Sequence, residues 1–163
     1  MPAFRENKHR LPPERYIGQF ATSFTLCVDR KHNVFHQRSD IEIHVELLTE
    51  QLRRFECLAP IYCFMPDHLH VVTMGMTDTA NSKLAMDAFK LKSGKFLHRT
   101  CATYRWPANY HDRIIRVPRE WKKKIFYVFK NPVRAGLIED PYEYPLSGSI
   151  GYRFEEIIWD AGQ

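Results

Sequence analysis

Two histidines stand two residues apart in a short apolar run of the sequence, Met65-Pro66-Asp67-His68-Leu69-His70-Val71-Val72. Its branched apolar residues predict a buried β-strand. Side chains at positions i and i+2 of a strand point to the same face, about 7 Å apart. His68 and His70 could therefore hold one divalent cation if a third ligand came from another element. Eight histidines in 163 residues also produce such a pair by chance, so the hypothesis needs support from a second segment.

That second segment contains Lys123, Tyr127 and Asn131, which recur at four-residue spacing. On a helix these three side chains lie on one face. The opposite stripe is apolar and consists of Trp121, Ile125 and Val128. A phenol can act as a nucleophile and an amide oxygen is a hard metal ligand. The pattern therefore indicates metal-assisted attack on a phosphodiester.

In this hypothesis His68, His70 and Asn131 hold the cation, and Tyr127 attacks the phosphate that the cation polarises. A phenol is mostly protonated at neutral pH and needs help to react. Lys123 could favour the phenolate or hold a neighbouring phosphate. Two imidazoles and an amide could also bind zinc, nickel or cobalt, so the ligand types alone do not choose the metal.

Periodicity predicts the elements that must position these residues. A first strand covers residues 16–28 and ends in a turn at 29–33. Ser39 and Glu42 form a capping box for an amphipathic helix that continues to residue 55. Two further strands, 58–64 and 69–76, are joined by the tight Met65-Pro66-Asp67 segment.

A second helix is predicted from Asn81 or Ser82 to about residue 96. Its predicted buried face contains Leu84, Ala88 and Leu91, and its predicted exposed lysines are Lys83, Lys90, Lys92 and Lys95. Pro118 opens a third helix, which Asn131-Pro132 is expected to end. Residues from 136 onward are expected to be irregular, with a short terminal strand or helix.

The length and composition predict one domain, residues 16–163, that follows a flexible basic arm, residues 1–15. A net charge of +5 favours polyanionic partners. The four cysteines form no C-x-x-C pair and are expected to be free thiols. The N-terminus does not resemble a signal peptide, and no apolar run reaches the length of a membrane span. We therefore expect a cytoplasmic protein with no membrane partner.

Two motifs resemble those of the REP-associated tyrosine transposases, a branch of the single-tyrosine HUH endonucleases allied to insertion-sequence transposases of the 200/605 type. Met65-Pro66-Asp67-His68-Leu69-His70 is similar to the family's metal motif. Tyr127-Val128-Phe129-Lys130-Asn131-Pro132-Val133-Arg134-Ala135-Gly136-Leu137 is similar to its nucleophile segment. Residues 106–116 and 89–94 resemble its aromatic-basic segment and its basic helix. The resemblance covers most of the chain.

The resemblance implies an α+β fold in a bacterial protein, with a single, largely antiparallel sheet and helices packed on it, of ferredoxin-like or RRM-like character. It implies cleavage of single-stranded DNA next to a hairpin or palindromic repeat, with Mg²⁺ or Mn²⁺, through a 5′-phosphotyrosine intermediate and a released 3′-hydroxyl. By the match Tyr127 is the nucleophile, and Asn131 joins His68 and His70 as a metal ligand. The expected DNA-binding residues are Lys90, Lys92, Lys95, Arg113, Arg116, Lys123 and Arg134.

The sequence departs from the family pattern at Pro107, where glutamine is common, and at Arg113, where histidine is common. These departures affect the expected substrate contacts and leave the core chemistry intact. Trp106 and Tyr110 could stack on unpaired bases or lie buried beneath a helix.

Two other functions remain open at this point. One is a catalytically silent, domesticated protein that binds hairpin DNA. The other is an unrelated metal hydrolase in which Asp67 or Asp112 acts as a base near the His-x-His pair. The chain is expected to be a monomer or a homodimer, and the sequence leaves open whether Tyr127 acts on its own chain's histidines.

Overall fold

A computed structural model describes residues 11–163 of the chain, and residues 1–10 of the predicted basic arm lie outside that range. The described strands are β1 (Ala21–Cys27), β2 (Cys57–Met65), β3 (His68–Gly75), β4 (His111–Ile115) and β5 (Ser147–Ile150). The described α-helices are α1 (Arg38–Arg54), α2 (Ser82–Thr100), α3 (Pro118–Arg134) and α4 (Phe154–Gly162). The last residues of the predicted arm lead into a 3₁₀ turn, Pro13–Tyr16.

The five strands form one sheet in the order β4-β1-β3-β2-β5. Every neighbouring pair is antiparallel. The first six elements follow the β-α-β-β-α-β order of ferredoxin-like folds. α3, β5 and α4 extend this unit. The predicted α+β class, with a single antiparallel sheet and helices packed on it, is therefore confirmed.

The two faces of the sheet carry different helices, because successive strand residues point to opposite sides. On one face the Ser82 hydroxyl at the start of α2 donates to Thr22 of β1 over 3.3 Å, so α2 covers the face that also holds Leu69 and Val71. We call this the core face. On the other face Tyr127 of α3 meets His70. We call this the histidine face.

The boundaries of β2 and β3 match the prediction to within one residue. The prediction for the first strand was too long, since β1 begins only at Ala21. Gly18 has a φ of +118°, a conformation that interrupts an extended strand. The predicted cap of α1 was also wrong. The Asp40 carboxylate accepts the backbone N–H groups of His36 and Gln37, and the helix begins at Arg38.

The predicted buried face of α2 was wrong. Leu84 and Leu91 are exposed, Leu91 by 71%. The buried residues are instead Ser82, Ala85, Met86, Phe89, Ser93 and Leu97. α2 carries two apolar stripes, and packing selects the one with the larger Phe89, whose ring lies 6.4 Å from that of Trp106. The Trp106 indole N–H donates to Ser93 over 2.8 Å and reinforces this choice.

The predicted end of the third helix was also wrong, because α3 includes Pro132 and continues to Arg134. It ends in a Schellman motif. Gly136, at a φ of +71°, donates to the carbonyl of Val133, and Leu137 donates to that of Pro132. The carbonyl of Pro132 is itself an acceptor in this motif, so the helix ends two residues after the proline and not at it. The region after residue 136 forms both a strand and a helix, where the prediction allowed only one of them.

Candidate functional site

The two histidines of β3 converge on the histidine face. His68 is half-buried and His70 is buried, and their Nε2 atoms lie 3.0 Å apart with the rings at 90° to each other. Ligands that occupy adjacent octahedral positions about 2.1 Å from a metal ion are separated by about 3.0 Å. At this distance one Nε2 can donate a hydrogen bond to the other, and the two nitrogens also have the spacing of two ligands on one octahedral cation.

The second nitrogen of each ring already has a partner. Nδ1 of His68 lies 2.5 Å from an Asp67 carboxylate oxygen, and Nδ1 of His70 lies 3.0 Å from the Thr25 hydroxyl. If each Nδ1 carries the proton, each Nε2 keeps the lone pair that a metal needs. Such outer partners fix the orientation of metal-binding imidazoles. Sequence reasoning missed Thr25, whose position opposite His70 arises only from the β1–β3 register.

Burial lowers the pKa of His70 to about 3, with further lowering by repulsion from His68, Lys124 and Arg134, opposed by Asp67. A buried imidazole is costly to charge. His70 is therefore neutral at physiological pH. Neutral imidazole is the form that binds metals.

Tyr127 of α3 lies beside the histidine pair. Its ring centroid is 5.9 Å from that of His70, with an interplanar angle of 85°. The side chain is 45% exposed, so a large substrate can reach it. Both residues belong to the same chain, so this pairing does not need a second copy. On the opposite side of α3, Ile125 and Val128 are buried and Trp121 is half-buried, as predicted.

Two cations contact the ring of Tyr127. The Lys124 Nζ lies 4.9 Å from the ring centroid, and the Arg134 guanidinium carbon lies 4.1 Å from it. Arg134 also donates to the backbone carbonyl of Tyr127. Burial and the charge of Arg113 lower the pKa of Lys124. The lysine against the ring is thus Lys124, whereas the sequence analysis considered the neighbouring Lys123, which is exposed.

Asn131 lies one helical turn beyond Tyr127 and is half-buried. Its side chain makes no hydrogen bond to another residue in the range 11–163. Within that same range, no group of three or more His, Cys, Asp or Glu side chains could hold a metal ion. The ligand role of Asn131 stays a prediction.

The predicted DNA-binding cations fall into two sets. Arg113, Lys123 and Arg134 lie near Tyr127 on the histidine face, and Arg116 lies further along β4 and the loop after it. Lys90, Lys92 and Lys95 are on α2 and so belong to the core-face layer. Two of these three already have partners in the chain. Lys92 pairs with Glu50 over 2.8 Å, and Lys90 donates to the carbonyl of Ala108 over 2.6 Å.

Other candidates from the sequence are structural. Trp106 and Tyr110 are buried, and the Tyr110 hydroxyl donates to Asp87 over 2.6 Å. Burial, rather than stacking on bases, is therefore correct for both. Asp112 lies opposite Phe24 in the β1–β4 register, on the core face, and accepts a hydrogen bond from Tyr16. It is on the wrong side of the sheet to serve as a base at the histidine pair.

The four cysteines are free thiols, as expected. Cys57 and Cys63 are buried, and burial raises the pKa of Cys63 to about 12. Separately, none of the helices among residues 11–163 is both long and apolar enough to cross a membrane.

Comparison with known proteins supports the resemblance that the two motifs indicated. No family model matches the chain. A Haemophilus influenzae protein provisionally named a REP-associated tyrosine transposase is 22% identical over 104 residues, which cover 57% of this chain and 58% of that protein. The chain thus matches a little over half the length of this relative.

A solved structure described as the REP-associated tyrosine transposase bound to a REP hairpin has the same fold. It superposes with a TM-score of 0.70 over 87% of this chain and 82% of the other, at 16% identity. The resemblance to REP-associated tyrosine transposases is therefore confirmed. At this identity, the structural likeness establishes the fold.

Proposed function

We propose that the protein is a metal-dependent endonuclease and strand transferase that acts on single-stranded DNA beside a hairpin. One observation carries the proposal: the two Nε2 atoms of His68 and His70 converge at 3.0 Å next to the exposed Tyr127 of the same chain. Phosphotyrosine chemistry needs a metal-binding site, which the two histidines can provide, and an accessible phenol as the nucleophile. The similar fold of a transposase bound to a REP hairpin supports hairpin DNA as the ligand.

In the proposed reaction the Tyr127 oxygen attacks the phosphorus of a phosphodiester. A bond forms between phosphorus and the phenol oxygen, and the bond from phosphorus to the 3′ oxygen breaks. The phenol proton passes to solvent, and the departing 3′ oxygen takes up a proton to become a 3′-hydroxyl. The reverse attack by a 3′-hydroxyl on the phosphotyrosine rejoins a strand without another energy source.

The side chains of the site have separate tasks in this scheme. His68, His70 and Asn131 would hold Mg²⁺ or Mn²⁺, whose positive charge would stabilise the phosphate oxygens during attack. Asp67 and Thr25 orient the two imidazoles. Lys124 and Arg134 contact the ring of Tyr127, hold it in place and attract the phosphate.

The direct test uses labelled hairpin DNA from sequences that flank the gene, incubated with the protein and Mn²⁺ and then denatured. We expect a protein–DNA adduct that survives denaturation and that disappears with Tyr127→Phe or with EDTA. Tyr142→Phe is the matched control, because Tyr142 is also exposed but lies outside the site. Tight binding without an adduct, with both Mg²⁺ and Mn²⁺, would identify a catalytically silent hairpin-binding protein instead.

We further propose that Tyr127 acts on the histidines of its own chain, since His70 and Tyr127 are already in contact within one copy. A mixture of Tyr127→Phe and His68→Ala proteins tests this point. Action within one chain predicts that the mixture forms no adduct. Recovery of the adduct in the mixture would mean that the tyrosine crosses between subunits of a dimer.

A further inference from the structure

The turn that follows β1 has a strained backbone. Arg30 and Lys31 have φ angles of 54° and 53°, in the left-handed region that favours glycine. The N–H of His32 donates to the carbonyl of Asp29 over 3.4 Å and closes a four-residue turn around them. Two left-handed central residues are typical of a type I′ turn, for which Asn-Gly is a usual sequence. Here two long cations occupy these positions at a cost in stability. We call residues 29–32 the cationic turn.

Another non-glycine residue with a positive φ has a structural reason for its side chain. Glu56 has a φ of 58°, and its carboxylate accepts hydrogen bonds from the hydroxyls of Thr77 and Thr79. By contrast, Arg30 and Lys31 are exposed, and neither side chain makes a hydrogen bond or a salt bridge to another residue in the range 11–163. Such contacts therefore do not explain why long side chains stand at these two strained positions.

Backbone hydrogen bonds fix the cationic turn beside the histidine pair. Val28 donates to the carbonyl of Asp67 over 2.8 Å, and Val34 donates to that of Pro66 over 2.7 Å. The two acceptor residues immediately precede His68 in the sequence. The residues before and after the turn are thus both bonded to the start of the candidate metal motif. A strained conformation persists when the surrounding structure fixes it in this way, and such strain is common at functional sites.

The charge of the turn acts on the histidine face. Cys27 pairs with His68 in the β1–β3 register and points to the same side of β1 as Thr25. Burial and the charge of Asp67 raise the pKa of Cys27, and the positive charge of Lys31 opposes them. The cationic turn therefore lies close enough to the histidine pair for its charge to be felt there.

The carboxylates near the turn do not neutralise it. Asp29 accepts a hydrogen bond from Arg105 over 2.9 Å, which lowers the pKa of Asp29, and the charge of Arg30 adds to this effect. Asp67 lies 2.5 Å from Nδ1 of His68. The single carboxylate of the turn thus faces three guanidinium or ammonium groups, so positive charge is left over. Exposed, surplus positive charge suits a polyanion.

We propose that the cationic turn binds the DNA backbone next to the phosphate that Tyr127 attacks. Arg30 and Lys31 contact phosphate oxygens of the strand where it passes the His68 end of the sheet. Because the strained backbone is already fixed before DNA arrives, less entropy is lost on binding. Phosphate contacts position a strand without reading its bases. The inference rests on the proposed function for the position of the attacked phosphate, whereas the turn contains none of the residues assigned to the chemistry.

Glycine substitutions separate the backbone strain from the role of the side chains. Arg30→Gly and Lys31→Gly each remove strain and a cation together. Each should raise the thermal unfolding temperature, because relief of the left-handed strain outweighs the greater freedom of glycine in the unfolded chain. Each should also weaken binding of hairpin DNA from the gene's flanks on the order of 10-fold, the effect of one lost charge-assisted hydrogen bond. Binding is measured in the Tyr127→Phe background, which prevents cleavage.

Salt dependence and matched variants identify the lost interaction as a phosphate contact. Each glycine variant should reduce the slope of log affinity against log salt by about one. Arg30→Lys and Lys31→Arg keep both the strain and the charge, and should bind nearly as the parent does. Glu56→Gly is the backbone control, because Glu56 has the same conformation at the other end of the sheet. It should neither weaken binding nor reduce the slope.

Neutral linkages in the DNA locate the contact. A methylphosphonate linkage replaces one charged phosphate oxygen by a methyl group, and it is moved stepwise along the strand. The parent should bind more weakly when the linkage held by the turn is neutral, whereas a variant that lacks the contacting cation should not notice this change. The covalent adduct of the unmodified protein maps the cleavage position, and we expect the sensitive linkage to lie next to it.

The outcomes separate this inference from the proposed function. If the unmodified protein forms the adduct but both glycine variants bind DNA as the parent does, the turn proposal is wrong and the enzyme proposal stands. If no adduct forms but the glycine variants lose affinity together with sensitivity to one neutral linkage, the turn is a phosphate site on a protein without the proposed chemistry. A sensitive linkage far from the mapped cleavage position would overturn the placement beside Tyr127.

Discussion

The strand β3 carries two different environments on its two sides. His68 and His70 point to the histidine face, where Tyr127 is exposed and cavities open to solvent. Leu69 and Val71, on the same strand, point to the core face and are completely or almost completely buried. Successive side chains of a strand point to opposite faces, so neighbouring residues of β3 serve different purposes: one lies at the candidate site and the next packs in the core. A substitution on β3 should therefore affect mainly activity if the residue points to the histidine face, and mainly stability if it points to the core face.

The helices that cover the two faces differ in the same way. α1 and α2 enclose an aromatic cluster in which Phe35 and Phe64 lie 5.0 Å apart. α3 instead leaves Tyr127 and several cations at its edge. The histidine face also buries apolar side chains, among them Val72 and Ile125, but it leaves polar groups and cavities open to solvent around Tyr127.

The largest expected effect is on the histidine face. His68→Ala should reduce adduct formation by more than about 100-fold, which is more than the loss of a supporting group usually costs. The thermal unfolding temperature should change little, because His68 is half-buried at the surface of the site. Adduct gels and thermal melts of the same samples measure both effects. His98→Ala, at an exposed histidine of α2, is the control and should match the parent in both.

The next residue should behave in the opposite way. Leu69→Ala should lower the free energy of unfolding by about 2–5 kcal/mol, since it leaves a cavity in the core face. Adduct formation should persist at temperatures where the variant is folded. Urea denaturation measures the first quantity, with Leu91→Ala as an exposed control. A large loss of activity in the folded Leu69→Ala protein would contradict the separation of the two faces.

A smaller effect is expected at the outer partner of the site. Asp67→Asn keeps a hydrogen-bond acceptor near His68 Nδ1 but removes its charge. We expect Mn²⁺ affinity to fall by about 10- to 100-fold with an unchanged fold. Titration with Mn²⁺, followed by electron paramagnetic resonance, measures the affinity. The exposed Asp160→Asn is the control, and equal affinities in both variants would exclude a role of Asp67 in metal binding.

The smallest expected effect concerns a histidine of the core-face layer. Burial lowers the pKa of His44 to about 4. The folded pKa is below the ordinary value of about 6.5, so the unfolded chain binds more protons between these values and stability falls as the pH drops through this window. His44→Leu should remove this loss. The drop in the free energy of unfolding between pH 7.5 and pH 5 should therefore be smaller than in the parent by up to about 2 kcal/mol. Urea denaturation at pH 7.5 and 5 measures it. A variant as acid-sensitive as the parent would contradict the assignment.

Local patterns in the sequence predicted part of this molecule well. The β2–β3 hairpin was predictable because its apolar runs and its Pro66-Asp67 turn act over a few neighbouring residues. The shared face of His68 and His70 follows from the period of a strand. The same holds for the face of α3 that carries Tyr127 and Asn131, which follows from the period of a helix.

Other features depended on contacts between distant segments. α2 offers two apolar stripes, and only the packing of Phe89 near Trp106 selected between them. In the run of three lysines on α3, either of two lysines could have reached Tyr127 by helical spacing, and the position of the helix on the sheet selected Lys124.

The sequence by itself determined which residue types stand on a common face, because strand and helix periods are local. It thereby indicated the histidine pair, the tyrosine and the kind of chemistry they could perform. The tertiary structure decided what surrounds them. Thr25 meets His70 through a strand register that spans 45 residues of sequence. Such contacts depend on the packing of the whole domain, so no local pattern could have specified them.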